Sequence, residues 1–117
     1  TGAQLLAALE NGVSRIEGTA GRFPQVSGLR FVFDPARPSG SRVLEVVVAG
    51  RALDPDRRYR LATSDYIANG GDGYAVLKGA RRLIDASAAK LMATMVMDHI
   101  AAQKSVAPKI EGRIARH

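Results

Sequence analysis

The chain has 117 residues, 46% of them hydrophobic, a length and composition suited to one globular domain spanning residues 1–117 rather than two. It has no cysteine, which excludes disulfides, thiolate chemistry and cysteine-held zinc, and no run of 18 apolar residues to span a membrane. Its 17 Lys and Arg against 11 Asp and Glu give a net charge of +6. That balance is compatible with a solvated arginine-rich surface or with a positive patch for phosphates, nucleotides or nucleic acid. The chain begins at Thr1 without methionine and without a charged-then-apolar leader, which predicts a fragment or a processed chain.

Leu5, Leu6, Leu9, Val13 and Ile16 recur at spacings of three and four, predicting an amphipathic helix over about residues 3–16, with Gly12 weakening its later part. Gly18 to Gly21 breaks the chain. Leu29–Phe33 reads as a half-buried strand, and the β-branched run Val43–Val48 as a second. The turn-rich stretch from Asp34-Pro35 to Ser41 between them predicts a hairpin. After Gly50 and Asp54-Pro55-Asp56, Tyr59–Thr63 reads as a third strand, with Tyr66 near its end. Tyr74, Val76 and Leu77 are expected to open a short helix. Ser87 is placed to cap a helix over residues 88–103, with Leu91, Met92, Met95, Val96 and Ile100 on its buried face. The alternation from Ile110 to Ile114 predicts a closing strand. Separated strands and helices of this kind indicate an α+β fold with a mixed or antiparallel sheet.

Two loops carry the candidate chemistry. In Asn69-Gly70-Gly71-Asp72-Gly73, the glycines permit left-handed backbone and close approach, and successive N–H groups can cradle a polar ligand. Asp72 would project a carboxylate suited to vicinal hydroxyls such as those of a ribose; the plain alternative is a tight turn with Asp72 bonded to local backbone. In Gly21-Arg22-Phe23-Pro24-Gln25-Val26-Ser27-Gly28, Phe23 sits among turn residues, where its ring can stack on a base or plug the core. Phe23 and Tyr66 both flank glycine-rich loops. His99 beside Asp98 is a lone imidazole, and no Ser/His/Asp or HExxH-type pattern accompanies it. Asp34, Asp54, Asp56 and Asp65 have no imidazole at metal-site spacing, so no catalytic or metal-ligating residue is expected within the chain.

In order, the segments Thr1–Asn11, Gly21–Phe31, Tyr59–Tyr74 and Glu111–Ile114 resemble the later part of the 5′-nucleotidase C-terminal domain. The resemblance covers nearly the whole chain and rests on the ordered pair of loops. It implies a mixed β-sheet with flanking helices, truncated at the N-terminus. It implies that Phe23 and Tyr66 sandwich a nucleobase and that Asp72 holds the ribose. Gln25 would reach the base edge, and Asn69 and Gly71 complete the expected substrate-binding set. It further implies a nucleotide or nucleoside ligand, a periplasmic or extracellular enzyme, and a divalent metal pair in a separate N-terminal catalytic domain. The phosphate-contacting arginines of the family would precede Thr1, and a sheet lacking strands at one edge would be open to homodimer formation. A different class of reading, a basic nucleic-acid-binding module, rests on the +6 charge and the loop aromatics, although no basic run interleaves with aromatics.

Overall fold

A computed structural model describes residues 1–117. Helix α1 spans Gly2–Gly12. Thr1 caps it: the Thr1 hydroxyl accepts from Gln4 N at 3.3 Å in a reciprocal capping box. The next free amides find partners in a distant loop, Gly2 N donating to Arg57 O and Ala3 N to Pro55 O, each at 2.9 Å. The helix ends at Gly12 rather than residue 16. Residues 13–19 continue as turns, yet Val13 and Ile16 still face the core, so the apolar spacing outlasts the helix.

Strands β1 (Leu29–Phe33) and β2 (Val43–Val48) pair antiparallel as the expected hairpin, with an irregularity between Val32 and Phe33. β3 is only Arg51–Ala52, folded back onto β2 after a tight turn at Ala49-Gly50. β4 (Ile114–Arg116) lies parallel to β1, so the sheet is mixed, in the order β3-β2-β1-β4. The closing strand therefore starts where the sequence reading ended it.

The core lies between α1 and one face of this sheet. Leu9, Val13, Phe31, Phe33 and Val46 are buried together, with Ile16, Val26, Val43, Leu53 and Ile114 packed around them. Alternation in β1 places Phe31 and Phe33 on the same inner face. Burial of each phenyl ring contributes about 2–3 kcal/mol. Arg42 is the one buried charged residue. Its guanidinium donates to Val13 O at 2.7 Å and to Arg37 O at 2.9 Å, and it pairs with Glu17. Glu10 accepts the amides of Arg42 and Val43, at 3.0 and 2.8 Å. These bonds pin the entry of β2 to α1.

Two expected elements differ. Tyr59–Thr63 forms no strand: no neighbour supplies a ladder, and Leu61 is half exposed. Tyr66 consequently sits not at a strand end but in the first turn of α2 (Asp65–Ala68), capped by Ser64. The late helix, α3, spans Met92–Gln103 and is capped at Leu91, not Ser87. Ser87 instead belongs to a single 3-10 turn whose cap is Asp85. The residues assigned to the helix's buried face are exposed, Leu91 at 76% and Met95 at 56%, because no other element packs closely against that face.

Candidate functional site

The two loops marked in the sequence meet at the C-terminal end of α1. Tyr74 joins them: its hydroxyl donates to Arg22 O at 2.6 Å, and its ring is buried. Burial pushes the Tyr74 hydroxyl above its ordinary value; the Arg22 charge opposes that shift and Asp72 adds to it. The loop itself is two 3-10 turns, Gly71–Gly73 and Ala75–Leu77, with Tyr74 at the junction. Tyr74 thus opens the short helix expected there and also locks the loop to its neighbour, a role the sequence reading missed.

Asp72 adopts a left-handed conformation, φ 51°, and Gly70 and Gly73 of the same loop are also at positive φ. Asparagine and aspartate tolerate this region better than other non-glycine residues. The Asp72 carboxylate is exposed and accepts the Tyr66 hydroxyl on Oδ1 at 3.1 Å. Oδ2 has no hydrogen-bond partner within the protein. The Tyr66 ring lies beside Gly71: a Cβ at Gly71 would come within 2.5 Å of it, so only glycine fits. Tyr66 remains 58% exposed.

Phe23 packs on the core while part of its ring stays exposed. Its ring meets Phe33 edge-on, centroids 5.9 Å apart at 66°, which anchors it to the core. It nevertheless keeps 37% of its surface in solvent. Phe23 and Tyr66 make no ring–ring contact with each other. Gln25 is exposed and forms no side-chain hydrogen bond within the protein. Asn69 caps α2, and its side-chain oxygen accepts from Arg82 at 2.6 Å, so it is turned toward a basic residue. Phe23, Tyr66, Gly71 and Asp72 thus belong to one neighbourhood through the Tyr74–Arg22 link, with Asn69 at its rim.

The sequence reading also missed Asn11 and Arg22. The Asn11 amide donates to Asp72 O at 3.1 Å and accepts from Arg22 Nη1 at 3.2 Å, and Arg22 also reaches Ser14. Asn11 falls between the apolar positions Leu9 and Val13, and a polar residue just before a helix-ending glycine was the available signal. A groove lined by Leu6, Glu10, Asn11, Ser14, Arg15 and Arg22 runs along α1 beside the site.

Part of the basic charge has structural work. Arg42 is buried, Arg113 donates to Val26 O, and Arg57 lies 5.6 Å over the Tyr59 ring. No group of three or more His, Cys, Asp or Glu side chains converges, so these residues do not fit a metal pair. No helix is long and apolar enough to cross a membrane.

Known proteins share this fold. The family model described as the 5′-nucleotidase C-terminal domain matches residues 1–79. The trifunctional nucleotide phosphoesterase protein YfkN of Bacillus subtilis is 37% identical over 97% of this chain and 8% of its own length. The 5′-nucleotidase of Diplobatis ommata is 36% identical over 97% of this chain and 21% of its own. Among solved structures, the 5′-nucleotidase precursor from Thermus thermophilus superposes with a TM-score of 0.90 at 47% identity, over 99% of this chain and 24% of that one. The chain therefore spans a quarter or less of the length of these three relatives. With its four-stranded mixed sheet, flanking helices and paired loops, it belongs to the 5′-nucleotidase C-terminal domain family.

Proposed function

We propose that residues 1–117 act as the nucleoside-recognising domain of a nucleotide-hydrolysing enzyme. The observation that carries this is the Asp72 carboxylate, oriented by the Tyr66 hydroxyl on a loop tied to the residue before Phe23. Phe23 and Tyr66 offer partly exposed rings to a base, with stacking worth about 1–3 kcal/mol. The free oxygen of Asp72 accepts from ribose hydroxyls. Gln25, with no competing protein partner, meets the base edge, and Asn69 and Gly71 shape the loop around the sugar.

The chemistry of phosphate release lies elsewhere in the polypeptide. A divalent metal pair there would activate water and stabilise the leaving oxygen. This chain's residues contribute remote binding energy, which holds the nucleotide while its phosphate reacts. Relatives that include snake venom 5′-nucleotidases support a periplasmic or extracellular setting.

The exposed apolar face of α3 is the surface offered to the rest of the polypeptide, because a helix this short needs a packed face for stability. The sheet edges are poorer candidates for homodimer pairing: β3 has two residues and β4 three, leaving few free ladder groups. A concentration-dependent dimer by light scattering would restore edge pairing.

Calorimetry with adenosine and 2′,3′-dideoxyadenosine tests the site. The dideoxy ligand should bind about tenfold or more weakly, the scale of a charge-assisted hydrogen bond. Asp72→Asn should narrow that difference. Equal affinity for the two ligands would remove Asp72 from ribose recognition.

A further inference from the structure

We infer that the Tyr66 hydroxyl is a specificity-determining group of the nucleoside site: its bond to Asp72 joins the ring offered to the base to the carboxylate offered to the ribose, so that base and sugar are recognised together. The inference rests on the nucleoside reading above, and within it only on Tyr66 and Asp72.

Stacking does not require the hydroxyl, since a phenyl ring presents a base with the same kind of face. Core packing does not require it either: Tyr66 is exposed and lies outside the apolar cluster. What the hydroxyl does is donate to Asp72 Oδ1 at 3.1 Å, six residues further along the chain.

The ring is also seated. A Cβ at Gly71 would meet three successive ring atoms of Tyr66, Cδ1, Cε1 and Cζ, at 2.6, 2.5 and 2.5 Å. Near-equal distances to three consecutive atoms put that point over the ring face rather than beyond its edge. One face of Tyr66 therefore lies on the Gly71 backbone, and the opposite face is the one left for a base. Tyr66 itself rides on a closed turn: Ile67 N donates to Ser64 Oγ at 3.3 Å, and Asn69 N to Asp65 O at 2.8 Å. Asp72 follows Gly71 directly and holds a left-handed φ of 51°.

Platform, seat and carboxylate thus lie within residues 64–72, with the hydroxyl bond closing the circuit. The bond occupies Oδ1 and leaves Oδ2 for a sugar hydroxyl. It also keeps the carboxylate beside the ring instead of free to turn into solvent. A ribose is covalently joined to its base, so a carboxylate held at the platform meets the sugar of a base that is stacked there. A carboxylate set in place before binding loses less freedom when the ligand arrives.

The test is calorimetry of the whole chain, wild type and Tyr66→Phe, with adenosine and 2′,3′-dideoxyadenosine. Tyr66→Phe should weaken adenosine about fivefold and leave the dideoxy ligand within about twofold, so that the preference for ribose shrinks while stacking survives. In an Asp72→Gly background, where glycine suits the left-handed backbone, the same substitution should change adenosine by less than about twofold. A folded Tyr66→Phe that keeps the wild-type preference, whether both ligands hold or both weaken alike, overturns the inference and leaves the nucleoside reading standing. Additive losses in the double variant overturn it too. Should Asp72→Gly lose its folded signature, Tyr66→Phe with the two ligands decides alone. Wild type that binds neither ligand, or binds both equally, overturns the reading of this site, and the inference with it.

Discussion

Residues 1–53 and residues 80–112 carry apolar side chains at similar helical and strand spacings, yet only the first region buries them. Leu9, Val13, Phe31, Phe33 and Val46 form a core, whereas Leu91, Met92, Met95, Val96 and Ile100 stand in solvent. Periodicity tells which face of an element is suited to burial; it does not tell whether the chain contains the surface that covers it. The candidate site lies at the boundary, on loops anchored to the packed region through Tyr74, Asn11 and Phe33.

Truncating one residue from each region separates the packed part from the exposed part most directly. Phe31→Ala should cost about 3–5 kcal/mol in denaturant unfolding, as a buried phenyl ring normally does. Met95→Ala should stay within about 0.5 kcal/mol. Equal costs would mean that α3 is packed after all. Arg42→Ala should come next, at about 1–3 kcal/mol, because it leaves the Val13 and Arg37 carbonyls without their donor.

A pH titration sharpens the picture at the boundary. The raised Tyr74 pKa means that the folded state favours the protonated hydroxyl. Its contribution is complete below the ordinary tyrosine value of 10.0 and is lost as pH rises through the higher folded value. Tyr74→Phe should flatten that alkaline loss of stability, read by thermal unfolding from neutral pH to above about pH 10. The smallest effect is at Glu17, whose carboxyl is held below its usual value chiefly by the Arg42 hydrogen bond. Its contribution is present above the ordinary value of 4.5 and fades as pH falls. Glu17→Gln should make the acid limb slightly shallower.

What was legible follows the same division. The α1 face, the β1–β2 hairpin and the mixed sheet could be read because local pattern and tertiary partner agree there. Tyr59–Thr63 and the α3 face could not, because their patterns imply partners that these residues do not supply. The shift of the closing strand to Ile114–Arg116 is a matter of register against β1. Within the site, Phe23, Tyr66 and Asp72 stood out through loop composition and resemblance. Asn11 and Arg22 did not, since their roles depend on contacts across 61 and 11 residues.

The most direct test of the site is a residue-resolved amide-shift map of wild type titrated with adenosine. The expected result is saturable shifts confined to residues 22–25 and 66–74, with α3 silent. Shifts centred on residues 91–103, or none at millimolar adenosine in a well-dispersed spectrum, would contradict nucleoside recognition by these loops.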